Sequence, residues 1–398
     1  MSLLEVLVSI FVLTAGLLGI AAMLPLASLD IVEATKCENA EIVGIRSMGE
    51  VTIRELYNPR LWMRYNGEEI VRTENQVTGA NSNRPVMLLS DYNNIAIIDP
   101  VLVARYPGAS GDPRVGGSGQ LPLHVPTAPT NKVIGRRYSL RPYPQYSARM
   151  NLSMAERIFL SHDDLDFVEP ADENDRPRIN MVFDDGGSAE AVLPWPHRAW
   201  ERDPGLTGAL VPVARNQYSW LAVVVPQFVV WQRDFQSGGQ DWIYLDTRSP
   251  SYQVSVVVFY RRQYEEPGSP LEPATPAERR VTADFQGDGR NGGEVRLVCD
   301  SGDPSSYLEL RTNDIIMLAQ ERTINNSVSP PVIQPVVSFY RVVGLDDIDD
   351  SNDPAERFAT LDGPDWTIDD NGDGDPDDAV AVIMPGVIGV RTAKFKVQ

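Results

Sequence analysis

The sequence predicts an α+β protein in which one long amino-terminal helix packs on a large, mainly antiparallel β head. Residues 1–57 are first apolar and then amphipathic at helical spacing. Short β-branched and aromatic runs, separated by turn residues, follow from Tyr218 onward. We therefore expect three regions: a helix at 1–57, a loop-rich head region at 58–215, and an antiparallel sheet with an acidic carboxy-terminal loop at 216–398.

The first 29 residues are apolar, small or hydroxylic, and Glu5 is the exception. About 20 apolar residues suffice for a helix to cross a bilayer, so residues 1–29 predict a transmembrane segment. Placing an ionised carboxylate in such a segment costs about 2 to 4 kcal/mol, which a partner charge would offset. The first basic residue is Lys36. We therefore expect Met1 to be the first residue of a mature protein that has lost a basic leader.

The stretch MSLLEVLVSIFVLTAGLLGIAAMLPLA resembles the mature amino terminus of the type IV pilin and pseudopilin superfamily. Within that superfamily it is more similar to the minor pilins than to the commonest major pilins. The likeness rests on Ser2, two aliphatic residues, Glu5, and a long apolar helix with a proline in the twenties. It implies cleavage before Met1, methylation of the new amine, and pairing of Glu5 with the amine of a neighbouring subunit. It also implies that residues 1–29 form a filament core.

The same resemblance implies the function, the partners and the location. The chain would be a structural subunit of a type IV pilus-like filament, with further copies of itself, a prepilin peptidase and the pilus assembly machinery as partners. It would wait in the inner membrane and then become part of an extracellular filament at the cell surface. Two alternatives stay open: a low-copy minor pilin or pseudopilin of a pilus or type II secretion system, and a membrane-tethered sugar-binding protein or enzyme.

Two apolar stripes run along the second half of the predicted helix, and Asn58-Pro59 closes it. The first stripe contains Leu29, Val32, Cys37, Ala40, Val43 and Val51, and the second contains Ile31, Ala34, Ile42, Ile45, Ile53 and Leu56. Stripes on opposite sides of a helix require two burying partners. We expect these to be the chain's own head and neighbouring helices.

The run IDDNGDGDPDDAV is the strongest local motif of the head. Its spacing matches calcium loops, in which alternating oxygen ligands face one ion and Gly374 permits the sharp turn. The predicted Ca²⁺ ligands are Asp369, Asn371, Asp373, Asp375 and Asp377, and Asp378 could close the site. The alternative is a solvated acidic turn. A second acidic run, LDDIDDSNDPAER, lacks a glycine in register, and we interpret it as a charged loop.

The two cysteines, Cys37 and Cys299, match no metal-binding or redox spacing. In an oxidising compartment they could form one disulfide between helix and sheet, and the alternative is two buried free thiols.

The charge balance and the motifs of the sequence exclude two classes of function. The 35 basic and 55 acidic residues give a net charge of -20, which argues against binding to nucleic acid. The sequence contains no catalytic motif, so we do not expect an enzyme.

Overall fold

A computed structural model describes the chain over the ranges 3–64, 69–73, 76, 81, 85–88, 95–105, 135–141, 150, 152–160, 178–182, 188–192, 200–202, 210–212, 217–228, 242–244, 251–262, 264–265, 275–276, 278–325, 332–351, 354–368 and 376–396. Within the first helix, side chains are described at residues 11, 13 and 14 and from residue 31 onward.

The described helices are α1 (Leu3–Ile53), α2 (Pro100–Arg105) and α3 (Leu152–Phe159), with 3-10 turns at Pro59–Leu61 and Ser305–Leu308. The strands are β1 (Trp62–Met63), β2 (Val71–Thr73), β3 (Pro85–Leu88), β4 (Ile95–Ile98), β5 (Gly135–Leu140), β6 (Arg178–Val182), β7 (Ser188–Val192), β8 (Trp200–Arg202), β9 (Leu210–Pro212), β10 (Tyr218–Phe228), β11 (Trp242–Tyr244), β12 (Ser251–Tyr260), β13 (Tyr264–Glu265), β14 (Thr275–Pro276), β15 (Arg279–Phe285), β16 (Gly292–Val298), β17 (Ile315–Asn325), β18 (Val332–Leu345), β19 (Glu356–Asp362), β20 (Ala379–Ile383) and β21 (Val387–Lys396).

Helix α1 has 51 residues and is therefore about 75 Å long. It ends at Ile53, slightly before the predicted end, because Glu55 adopts a left-handed conformation with φ of 50°. The backbone N–H of Leu56 then donates to the Val51 carbonyl at 3.0 Å, and both side chains are buried. This is the bonding pattern of a Schellman motif, here built without glycine. Asn58 follows and accepts a hydrogen bond from the Arg60 N–H at 3.1 Å, which starts the next 3-10 turn.

The main sheet has six strands in the order β1-β5-β4-β10-β12-β21. Its neighbouring strands are antiparallel except for the parallel pair β4 and β5. The central strands β10 and β12 are nearly continuous apolar runs because both of their faces are covered. In their register Val224 lies opposite Val254, which in turn lies opposite Ala393 of β21.

The two faces of this sheet have different partners. On one face Val224, Val254 and Val256 form a core with α1 and α3. On the other face Val223, Val257 and Phe259 pack against side chains from β17, β18 and β20. The described molecule therefore has three layers, which are a helical layer, the six-stranded sheet and a second β unit.

That second unit is a closed barrel of six strands in the order β15-β16-β19-β18-β17-β20, and all of its pairs are antiparallel. The barrel has its own interior core, which includes Leu297, Leu318 and Tyr340. Trp366 is also buried there and stacks on Phe285 with ring centroids 5.9 Å apart. Closure pairs every strand of the barrel on both sides, so no barrel edge remains open.

The region predicted to be loop-rich contributes β1, β4 and β5 to the main sheet, together with α2 and α3. Its other strands form small sheets: β6 pairs with β7, β8 pairs with β9, and β2 and β3 form a sheet with β11, which lies after this region. The acidic run at 346–350 lies in the connection between β18 and β19, where Asp349 and Glu356 form a β-bridge. It is therefore a turn between two barrel strands.

The predicted fold class, α+β with a long helix packed on one mainly antiparallel head, is wrong. The protein is mostly β, and strands account for 49% of the described residues. The last two strands do not extend one sheet: β20 pairs with β15 and β17 and closes the barrel, whereas β21 pairs with β12. The run AVAVIMPGVIGVRTAKFKV is thus divided between two units. Which strands pair is decided by tertiary register, which the local pattern does not encode.

Candidate functional site

The exposed face of α1 is the candidate assembly surface. It carries four isoleucines, Ile31, Ile42, Ile45 and Ile53, whose exposed fractions are 66%, 41%, 50% and 80%, and Glu38 is exposed between them. At 3.6 residues per turn they fall within an arc of about 80°. They belong to the second stripe that the sequence predicts, of which Leu56 is buried. Four large aliphatic side chains on one line are more than the scattered exposed apolar residues of an ordinary surface.

The opposite face of α1 is buried against the main sheet. Ala40, Val43 and Val51 of the first stripe are 3%, 6% and 0% exposed, and they belong to the core shared with β10 and β12. Small residues bring the two backbones together here. A methyl group placed on Gly44 would lie 3.8 Å from the Val258 Cγ2 atom, which is ordinary contact. The expectation that the head covers one stripe is confirmed for these residues.

Contacts at Lys36 and Asn39 mark the place where α1 meets the end of the sheet. The Lys36 Nζ atom lies 4.9 Å from the centroid of the Tyr260 ring, and the Asn39 Nδ2 atom donates to the Tyr218 hydroxyl at 3.4 Å. The two tyrosine rings are 5.3 Å apart. Residues 31–35, one turn earlier, are all exposed. The described part of α1 that precedes Lys36 therefore projects from the head.

The predicted assembly residues lie at the start of this projecting part. Glu5 is in the first turn of α1, and its side chain lies outside the described ones, as does Met1 entirely. Phe11 and Leu13, which are described, are 72% and 64% exposed. The apolar side chains on which the transmembrane prediction rests are mostly outside the described set as well. Among the described residues, no helix is both long enough and apolar enough to span a membrane.

The predicted calcium loop is described only at its carboxy-terminal end. Asp369, Asn371, Asp373 and Asp375 lie outside the described residues. The backbone N–H of Asp377 donates to the Ile368 carbonyl at 2.7 Å, which joins the two ends of the loop. The described residues contain no group of three or more His, Cys, Asp or Glu side chains arranged to hold a metal.

Asp378, the residue proposed to close the calcium site, lies in a strongly acidic environment. Burial raises the pKa of its carboxyl, and the nearby Asp284 carboxylate raises that pKa further. Arg296 acts in the opposite direction and pairs with Asp284 at 2.8 Å. Repulsion among these carboxylates is the cost that a bound cation would remove.

The two cysteines are both free thiols, so the disulfide considered from the sequence is not formed. Cys37 is exposed on α1, and Cys299 is buried where β16 ends. Burial raises the pKa of the Cys299 thiol, and Asp303 and Asp300 raise it further. A raised pKa keeps a thiol protonated and therefore weakly nucleophilic.

A cluster that the sequence did not predict joins the sheet, α2 and the barrel. We name it the salt-bridge quartet; its members are Asp99, Arg137, Arg262 and Glu278, and their side chains are 2%, 0%, 4% and 4% exposed. Arg262 donates to Asp99 at 3.2 and 2.7 Å and to Glu278 at 2.9 Å. Arg137 also donates to both acids. Two positive and two negative charges therefore balance in a buried site.

Each member of the quartet comes from a different element. Asp99 lies between β4 and α2, and its Oδ1 atom also accepts from the Leu102 N–H at 3.3 Å, which caps α2. Arg137 is in β5, Arg262 is the second residue after β12, and Glu278 directly precedes β15. Burial alone would raise the pKa of Asp99, but Arg262 and Arg137 together hold it below its usual value. The one feature of the sequence that points to this cluster is Asp99-Pro100, an acid at the end of the apolar run IAII. It does not show which basic residues bind the acid.

Comparisons with known protein families, with curated proteins and with solved structures found no match for this chain.

Proposed function

We propose that this chain is a structural subunit of a type IV pilus-like filament that assembles through its amino-terminal helix. The observation that carries the proposal is the division of α1 into two faces. One face is buried on the chain's own sheet, and the opposite face leaves four isoleucines exposed. A helix that leaves apolar side chains exposed opposite its own head is suited to packing with copies of itself.

Glu5 gives this packing a preferred position along the helix axis. An unpaired carboxylate in apolar surroundings is costly, so a neighbouring subunit is favoured where its amino-terminal amine meets Glu5. The apolar stripe is non-directional and could slide, whereas the ion pair forms at one offset. A prepilin peptidase and the assembly machinery would be the partners that bring the chain from the inner membrane into the filament.

The test replaces Glu5 by Ala in the full chain, in cells that make the assembly machinery. We expect the sheared surface fraction to lose this chain while the membrane fraction retains it, because the apolar helix is intact. Glu33→Ala is the matched control, since Glu33 is an exposed acid on the same helix. Equal amounts of fibre from Glu5→Ala and from the parent chain would refute the proposal.

The low-copy alternative predicts that Glu5→Ala also removes the chain from the sheared surface fraction, but it predicts a different number of copies per fibre. A minor pilin or pseudopilin would be present in few copies per fibre, whereas a major subunit would form almost all of its mass. Quantitative mass spectrometry of purified fibres separates the two. The sugar-binding or enzymatic alternative predicts that residues 60–398 act alone and that Glu5 has no effect.

We also propose that the acidic loop at 369–378 binds Ca²⁺. Support comes from the donor chemistry, because carboxylate and amide oxygens at alternating positions are what Ca²⁺ prefers. It also comes from the hydrogen bond that joins Asp377 to Ile368 and from the raised pKa of Asp378. Bound cation would relieve the repulsion and make the end of the barrel rigid.

A further inference from the structure

We propose that the salt-bridge quartet holds the barrel in a single orientation on the main sheet. This role goes beyond filament assembly and does not depend on it. The quartet lies where the chain leaves the sheet at Arg262 and enters the barrel at Glu278. Its other two members, Asp99 and Arg137, belong to the sheet layer. Glu278 is therefore the member that the barrel contributes, and the two arginines bind it to the sheet.

The apolar contact between the two units does not by itself determine their angle. On the sheet side it includes Val223, Val257 and Phe259, and on the barrel side Met317 and Val382. Burial of such surface is favourable but non-directional. Each unit also has its own core, separate from this contact. Units with independent cores move relative to each other unless their interface prevents it.

Two single hydrogen bonds also cross between the units, from the Gln253 amide to the Val337 carbonyl at 3.3 Å and from the Gln334 amide to the Gln227 carbonyl. The quartet adds a buried, charge-assisted set of directional bonds to them. A planar guanidinium with several donors accepts few arrangements of two carboxylates, so its bonds form at one relative position of the elements that carry them. Arg137 bonds to both acids and Arg262 bonds to both acids, which makes the arrangement reciprocal. Arg262 is also held from one side by Phe259, whose ring centroid is 4.7 Å from its Cζ atom. Rotating the barrel would separate Glu278 from both arginines.

A purely stabilising role makes a different prediction. Buried ion clusters are often no more stable than apolar side chains of similar size, and their best-attested benefit is a unique arrangement. If the quartet only stabilises, replacing it by apolar residues leaves the orientation unchanged. If it determines the orientation, the same replacement leaves both units folded but free to move against each other.

The experiment measures the distance between a spin label on the helical layer and one on the barrel by pulsed electron paramagnetic resonance. The exposed Cys37 carries the first label, and Val343→Cys, on the exposed side of β18, carries the second. Cys299→Ala removes the buried thiol in all samples. The test variant combines Arg137→Met, Arg262→Met and Glu278→Met with Asp99→Asn, and the asparagine keeps the cap of α2.

We expect a narrow distance distribution in the parent and one about twice as wide in the test variant, with circular dichroism unchanged. The matched control, Asp288→Asn with Arg290→Gln, removes an exposed barrel pair 3.1 Å apart and should keep the narrow distribution. A test variant as narrow as the parent, or a control as wide as the test variant, would overturn the proposal.

A second variant applies if the fourfold replacement does not fold. Glu278→Gln removes the charge that the barrel contributes and keeps the shape of the side chain. It should widen the distribution in the same direction, and an unchanged width would overturn the proposal equally. The measurement uses the purified chain, so failure of filament assembly in the Glu5 experiment has no bearing on its outcome.

Discussion

Replacing Asp99 by Asn tests the energetics of the salt-bridge quartet. The amide is nearly isosteric, and its oxygen can still accept the N–H of Leu102, so α2 keeps its cap. The change removes one of the two carboxylates that bind both Arg137 and Arg262. A charge left without compensation at a buried site costs about 3 to 5 kcal/mol. We expect the free energy of unfolding to fall by that amount.

The comparison is an exposed pair on α1. Arg54 and Glu50 are 2.6 Å apart, but their side chains are 41% and 38% exposed. A pair of this kind contributes about 0.3 to 0.5 kcal/mol, because water screens both charges. Glu50→Gln should therefore cost roughly a tenth of what Asp99→Asn costs. Urea unfolding followed by tryptophan fluorescence gives both values, and equal losses in the two variants would refute the argument from burial.

Three further predictions concern pH, helix packing and calcium. The pKa of Asp99 is lower in the folded state than its unfolded value of about 3.8, so the stability that its carboxylate contributes is complete above that pH and is lost as the pH falls below it. Acid titration of the parent should show this loss of stability, and the same titration of Asp99→Asn should not. Gly44→Ala should raise the free energy of unfolding by about 0.5 to 1 kcal/mol, because the added methyl group fits at contact distance. At Gly49 the added methyl group would meet open space, so Gly49→Ala should show only the gain from the higher helix propensity of alanine. The pKa of Asp378 is raised, so Asp378→Asn should raise the melting temperature at neutral pH in the presence of a chelator. Added Ca²⁺ should raise the melting temperature of the parent more than the melting temperature of the variant. Equal melting temperatures of the parent in chelator and in Ca²⁺ would exclude the calcium site.

The helix and its two faces were predictable because helical periodicity is local. A residue's position on a helix follows from its number, so the stripes through Val43 and through Ile42 could be separated from sequence alone. In the structure Ala40, Val43 and Val51 of the first stripe are buried, whereas Val32 and Cys37 of the same stripe are exposed. The second stripe is exposed at its four isoleucines and buried at Leu56. The same reasoning placed the end of the helix only approximately, because Glu55 ends it in a conformation that usually favours glycine.

The division of the β strands could not be predicted from their patterns. The strand β20 and the first residues of β21 are apolar, and the few residues between the two strands include Gly386, whose φ is 83°. A β-branched run shows that a strand forms, but it does not show which strand pairs with it. That is why the prediction of one antiparallel head was wrong and the barrel was missed.

Sequence alone determined the properties that depend on near neighbours: the helical stripes, the isolated acid at Glu5, the oxygen-rich spacing after Asp369 and the overall negative charge. Tertiary structure decided what depends on distant residues. It closed the barrel through β20, kept Cys37 apart from Cys299, and brought Asp99, Arg137, Arg262 and Glu278 into one buried site. The physical reason is that helical phase is set by the residue number, whereas strand pairing and charge pairing depend on where the rest of the chain lies.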